Sequence, residues 1–95
     1  MEFEWDDAKN RANREKHGIS FDRAVRVFSS DHVTVLARPG GDGEMRLKTI
    51  GMLDDVLMVS IIHTDRAGIS RLISARPAKR KERRLYHGTH HPGQT

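Results

Sequence analysis

Arg71 and Arg76 lie five positions apart in the β-prone run Ile69-Ser-Arg-Leu-Ile-Ser-Ala-Arg76. Just beyond comes Lys79-Arg-Lys-Glu-Arg-Arg84, with five cations in six positions. A guanidinium fork matches the paired oxygens of a phosphate, so arginines fixed on a strand form a phosphate grip. Strict alternation places Arg71 with Ile69, Ile73 and Ala75, and Arg76 with Ser70, Leu72 and Ser74, one arginine on each face of the strand. Arg46 and Lys48 share a face of another run, Arg46-Leu-Lys-Thr-Ile50. On the following helical stretch, Arg80, Arg83, Arg84 and His87 fall on one broad face. Such a cluster repels itself until an anion neutralises it. The charge is also polarised: residues 66–95 carry eight Lys/Arg against the single acid Glu82, a balance of +7 in a chain of net charge +4. The first 65 residues therefore sum to −3. Nucleic acid is the partner such a field attracts. Solvated edge-strand charges are the alternative reading of Arg71 and Arg76.

Proton transfer would fall to histidine, the default acid–base group near neutrality. His17 follows Lys16 at the end of a predicted helix, where a cation also stabilises the helix dipole. His63 ends a predicted strand, where a half-buried, backbone-bonded ring is the other reading. Tyr86 can stack a base or move a proton, or it can pack its ring on the sheet. The six histidines show no close ligand spacing in the patterned region, so no metal site and no cofactor is expected. His90 and His91 suggest metal only faintly, as part of a solvated tail. No glycine-rich phosphate loop or nucleophile elbow is present.

The elements that must position these groups are short. Asp6 is placed to cap a first helix that carries Ala8 and Ala12 and stops at Gly18. Ser20 caps a second, with Ile19 and Ala24 as a staple and Phe21, Ala24, Val25 and Phe28 as its core-facing stripe, ending near Ser29-Ser30. The period then changes to two. Strands are predicted over 33–36, 46–50, 56–62 and 69–76, with a loop over 38–43 and turns at Asp54-Asp55 and 65–68. Phe3-Glu4-Trp5 suits a short edge strand. Pro77 fits the first position of a last helix reaching about His87. The expectation is an α+β domain over residues 1–87, with two N-terminal helices on a three- or four-stranded antiparallel sheet, a basic C-terminal helix and a flexible tail over 88–95. No cysteine, apolar span or signal-like N-terminus occurs, which points to the cytoplasm and no membrane.

Several phrases in colinear order resemble the BrnT family of type II toxin–antitoxin systems, a branch of the RelE-like ribonuclease toxins. They are Phe3-Glu-Trp-Asp6 with Ala8-Lys9, Asn13-Arg-Glu-Lys-His-Gly18, Ser20-Phe21 with Ala24, and Val27-Phe28. Later come Arg46-Leu-Lys-Thr-Ile-Gly51, His63-Thr64, Ile73-Ser-Ala-Arg76, Ala78, Arg80, Glu82-Arg-Arg84 and Tyr86. Pro77 and the 38–43 loop depart from the pattern. The resemblance implies a RelE-like fold and a toxin that cleaves RNA, blocks translation and growth, and is silenced by a cognate BrnA-like antitoxin. It also implies a hetero-oligomeric complex that binds operator DNA through the antitoxin.

Metal-independent RNA cleavage needs an activated 2′-hydroxyl, stabilised phosphorane charge and a protonated leaving oxygen. Arg71, Arg76 and Arg80 are the expected phosphate stabilisers, and His17 or His63 the expected proton carrier, with Tyr86 or Lys16 as substitutes. Lys16, Arg46, Lys48, Arg83 and Arg84 are expected to bind RNA, either as bare mRNA or on the ribosome. A non-catalytic nucleic-acid-binding module is the competing class, and a protein whose cationic face docks an acidic partner is a third.

Overall fold

The computed structural model describes residues 1–89. In chain order it comprises β1 (Glu2–Glu4), α1 (Asp7–His17), α2 (Phe21–Ala24), a 3₁₀ segment (Val25–Ser29), β2 (His32–Leu36), β3 (Leu47–Leu53), β4 (Leu57–Arg66), β5 (Ile69–Pro77) and α3 (Arg80–Thr89). The expected caps of α1 are present. The Asp6 carboxylate accepts from the Lys9 N–H at 3.3 Å. Gly18, at φ 72°, donates its N–H to the Arg14 carbonyl.

The second helix is shorter than its stripe suggests. One α-turn gives way to the 3₁₀ segment, which presses Val27 onto bare backbone at Gly51. A Cβ on Gly51 would sit 2.8 Å from the Val27 side chain, so only glycine allows this approach. Asn10 Oδ1, rather than the Ser20 hydroxyl, accepts from the first helical N–H, that of Phe21, at 2.8 Å.

The sheet has five strands in the order β1-β5-β4-β3-β2 and is mixed, not the three or four antiparallel strands expected. β1 pairs with β5 in parallel; the other pairings are antiparallel. A three-residue strand this acidic carries little periodic signal, and its parallel partner lies far along the chain. β1 covers only Ile69–Arg71 of β5. Further along that edge, Asn13 of α1 stands in for a strand. Its amide nitrogen donates to the Ala75 carbonyl (2.7 Å) and the Ile19 carbonyl (2.8 Å), and its oxygen accepts from the Ala75 N–H (3.1 Å).

One sheet face carries the helical layer and the core: Ile19, Phe21, Ala24 and Val27 meet Leu53, Val59, Ile61, Leu72 and Ala75, all buried. The opposite face is covered only in part, by α3 lying against β2 and β3 over buried Ile50. Pro77 does not open α3. It is the last residue of β5, opposite Val59, and the Ala78 N–H goes to the Met58 carbonyl. Proline is tolerated at a strand end because no ladder donor is needed there. The helix starts three residues later, and Gly88 and Thr89, expected in the tail, belong to it. The expected tail beyond Thr89, with His90 and His91, lies outside the described residues. No helix among the described residues is long and apolar enough to cross a membrane.

Candidate nucleic-acid interface

Glu82 is the one buried residue of α3, at 6% exposure. Its carboxylate accepts two guanidinium N–H groups of Arg76, at 2.7 and 2.8 Å, and the Lys48 ammonium at 3.0 Å. It also accepts the Lys79 N–H at 2.8 Å and the Ser60 hydroxyl at 3.2 Å. The Lys79 contact is half of a capping box, with the acid at N3 reaching back to the first free N–H of the helix. Burial raises the carboxyl's proton affinity, but the bonds from Arg76, Lys79 and Lys48 outweigh it and hold Glu82 well below the usual carboxylate range. The same bond raises the pKa of Arg76. Charge and hydrogen bonding thus fix the start of α3 to the sheet.

Around this carboxylate opens a hollow of about 490 Å³. Arg76 of β5 and Lys48 of β3 form its floor side, and Lys79, Arg80, Lys81 and Arg84 rise from the start of α3. Six cations face one carboxylate, so a large positive excess survives the internal pairing. Among the described residues no carboxylate pairs with Arg80, Lys81 or Arg84. An anion with several oxygens is what such a hollow attracts.

Of the residues singled out by sequence, Arg76, Arg80, Lys48 and Arg84 come together here. Arg71 does not line this hollow, although it shares the sheet face. Ile62 pairs with Ser74 and His63 with Leu72, leaving Ile73 without a partner. That bulge adds one residue and shifts the alternation, so Arg71 and Arg76 project from the same face, not opposite ones. Leu72 and Ala75 both enter the core on the other side. Arg71 pairs with Glu4 at 2.8 Å. Arg46 precedes β3 and lays its guanidinium over Gly40, where a Cβ would meet it at 2.7 Å. Arg83 and Lys16 are exposed away from the hollow. His17 closes α1 in the helical layer, and Tyr86 is half-buried with its ring edge-on to His87.

His63 lies on the core side of the sheet at 1% exposure. Nε2 is 2.7 Å from the Thr49 hydroxyl and Nδ1 is 2.7 Å from Asp65. Thr49 bonds Thr34 at 2.8 Å, Ser70 donates to Asp65 at 2.7 Å, and Phe28 packs edge-on against the imidazole. The order Thr–His–Asp suggests a nucleophile relay, but Thr49 is fully buried. The chain ties β2 to β5 through the interior. No imidazole or phenol is among the described residues lining the basic hollow.

The residues that sequence reasoning missed are Glu82 and Ser60. The available signal was the Lys79-x-x-Glu82 spacing, obscured because lysine is not a capping side chain. Ser60 is the single hydroxyl inside the apolar run of β4.

A mixed sheet with α1 and α2 on one face and a cationic hollow beside α3 on the other makes this a small α+β protein with a site of strong positive charge. A sequence model described as "Ribonuclease toxin, BrnT, of type II toxin-antitoxin system" matches residues 5–82. The crystal structure of the Brucella abortus ribonuclease toxin BrnT is similar, with a TM-score of 0.64 and 26% identity, covering 84% of this chain and 99% of that one. No curated protein matches the chain. The chain belongs to the BrnT family of ribonuclease toxins of type II toxin–antitoxin systems.

Proposed function

We propose that this protein is a metal-independent endoribonuclease whose scissile phosphate lies in the hollow between β5, β3 and the start of α3. The observation that carries this reading is the Glu82 clamp. It holds Arg76 and Lys48 in place before substrate arrives, beside Arg80 and Arg84, which no described carboxylate neutralises. Preorganised charge of this kind stabilises a phosphorane without reorganisation during the reaction. The 2′-oxygen attacks the adjacent phosphorus, the bond from phosphorus to the 5′-oxygen breaks, and a 2′,3′-cyclic phosphate and a 5′-hydroxyl result. The ammonium groups that line the hollow, on Lys48, Lys79 and Lys81, supply the proton for the departing oxygen, and water takes the 2′-proton. Glu82 is a positioning residue: its depressed pKa makes it a poor base at neutral pH.

In the cell this activity would act on mRNA in the cytoplasm and stop translation and growth. An antitoxin of the BrnA type, itself DNA-binding, would cover the cationic face and form a hetero-oligomer that represses the shared operon. The purified protein is expected to cut RNA equally with and without EDTA, with cyclic phosphate ends. Retarded but intact RNA would support instead a non-catalytic binding module, a reading favoured by a hollow whose described lining holds no imidazole. Neither cleavage nor retardation would leave a surface built for an acidic protein.

A further inference from the structure

The face that carries the basic hollow holds a second depression, also of about 490 Å³, toward the β1 end of β5. Arg71 and Arg66 line it, each beside a carboxylate, with Thr64 on the floor. The bulge at Ile73 puts Arg71 on this face at all; with regular alternation it would point into the helical layer. Thr64 of β4 stands opposite Arg71 and Ser60 opposite Arg76, four positions apart, so the two arginines are ~13 Å apart along the strand. Between them lie Ile62 and Ser74, paired and half-buried, a small flat strip with no charge.

The cations of the two depressions are held differently. Arg76 is locked on buried Glu82. Arg71–Glu4 (2.8 Å) and Arg66–Glu44 (3.2 Å) are solvent-exposed pairs, and such pairs are weak. A backbone phosphodiester carries the same single charge and two free oxygens as a carboxylate, so it can exchange with these weakly held partners in the guanidinium forks. Glu4 and Glu44 also repel a lone anion, so the depression favours a phosphate delivered on a strand already anchored elsewhere.

We infer that the Arg66–Arg71 depression is a second phosphate subsite, gripping the RNA backbone a few nucleotides from the phosphate held at Arg76 and Arg80, with the intervening sugars on the Ile62–Ser74 strip. This rests on the RNA-cleaving reading of the basic hollow. It turns a point contact into a track, and it makes Arg71 a strand-binding residue rather than a group at the reacting phosphorus.

The test is fluorescence anisotropy with 2′-O-methyl RNA, which lacks the attacking hydroxyl and stays intact. A dinucleotide and an octanucleotide are titrated over a range of salt concentrations. The wild-type protein should bind the longer strand at least about tenfold more tightly. In Arg66→Ala/Arg71→Ala that advantage should vanish, and the slope of log affinity against log salt should fall by about 0.7, the value for one single-strand phosphate. Glu4→Gln/Glu44→Gln should enlarge the advantage. Thermal melts confirm folding of both variants, whose substitutions are at exposed side chains. If Arg66→Ala/Arg71→Ala keeps the full length advantage while Arg80→Ala/Arg84→Ala loses binding, the second subsite is wrong and the first reading stands. If Arg80→Ala/Arg84→Ala binds like wild type, or if no RNA binds at all, the basic hollow is wrong and the subsite falls with it.

Discussion

The Glu82 carboxylate closes on Arg76 through two bonds of 2.7 and 2.8 Å, and this pair joins α3 to the sheet. The partners are six positions apart in the chain, so the contact folds the β5–α3 junction back on itself. Lys48 and Ser60 add bonds from two other strands. The lone acid of the basic segment is therefore the reason its cations hold a fixed arrangement.

Glu82→Gln keeps the shape and removes the charge, leaving Arg76 and Lys48 without their counter-ion. Breaking a buried pair on one side costs about 3–5 kcal/mol. Because both cations are partly solvated, about 2–4 kcal/mol is expected here. Urea unfolding at neutral pH measures it. A change below about 0.5 kcal/mol, the range of ordinary surface substitutions, would mean that the clamp contributes little.

The same carboxylate sets a pH dependence. Its folded pKa is depressed, so its stabilisation is complete above the unfolded value of about 4.3. It is lost as pH falls below that value toward the folded one, because the unfolded chain then binds a proton that the folded chain does not. Unfolding free energies from pH 6 down to pH 3, in about unit steps, should decline with a steeper slope in wild type than in Glu82→Gln. Asp22, lowered by the Ser20 hydroxyl, and Asp42, lowered by the Glu44 N–H, keep some slope in both proteins. Identical slopes would count against a depressed Glu82.

Arg76→Ala and Arg80→Ala should behave differently. Removing one oriented charge donor costs about 10²–10³ in rate, and both variants should lose cleavage on that scale. Arg80 makes no ion pair among the described residues, so its loss should change stability by no more than about 0.5 kcal/mol. Arg76→Ala strands buried Glu82 and should unfold at clearly lower urea as well. Rates measured at matched folded concentration, beside melting curves, separate the two effects.

Much of this architecture is legible in the residues. The Asp6 and Gly18 caps, the Phe21–Phe28 stripe, the period-two run of β3 and the nearly continuous apolar run of β4 follow from local chemistry. Three features do not. The parity of Arg71 and Arg76 depends on a bulge at Ile73, a position with no glycine or other local marker. The start of α3 looked like Pro77, because proline's fit to a first helical turn is a stronger local signal than a lysine cap. The parallel pairing of β1 is a long-range choice that a three-residue strand does not encode. Within the site, the cations could be read from sequence, but the acid that arranges them could not, since its partners come from four different segments.

Asn13 illustrates the same limit. In a helix it reads as a weak former, yet its side chain continues the sheet edge where β1 ends. Asn13→Ala would leave the Ala75 N–H and carbonyl and the Ile19 carbonyl without their bonds in a buried setting. A loss of about 2–4 kcal/mol is expected from stranding such groups. Asn13→Asp should be little better, because a carboxylate can accept from Ala75 but cannot donate to either carbonyl. Thermal denaturation of both variants checks this; a fully stable Asn13→Asp would show that the two donor bonds are dispensable.

His63 offers the sharpest separation of structure from chemistry. Its ring is buried on the core side, both nitrogens are engaged, and the sheet stands between it and the basic hollow. Replacing it by leucine removes one of two bonds from the Thr49 hydroxyl and from the Asp65 carboxylate, which keep Thr34 and Ser70, so a loss of about 0.5–1.5 kcal/mol is expected. Since the imidazole cannot reach a phosphate held by Arg76 and Arg80, cleavage by the folded fraction should stay within a few-fold of wild type. The measurement is the initial rate on a defined RNA below the melting transition, normalised to folded protein by circular dichroism. A fully folded His63→Leu variant that loses cleavage by about 10²-fold or more, the scale of a missing acid–base group, would return the histidine to the reaction. It would also require the strand to bind on the helical side of the sheet.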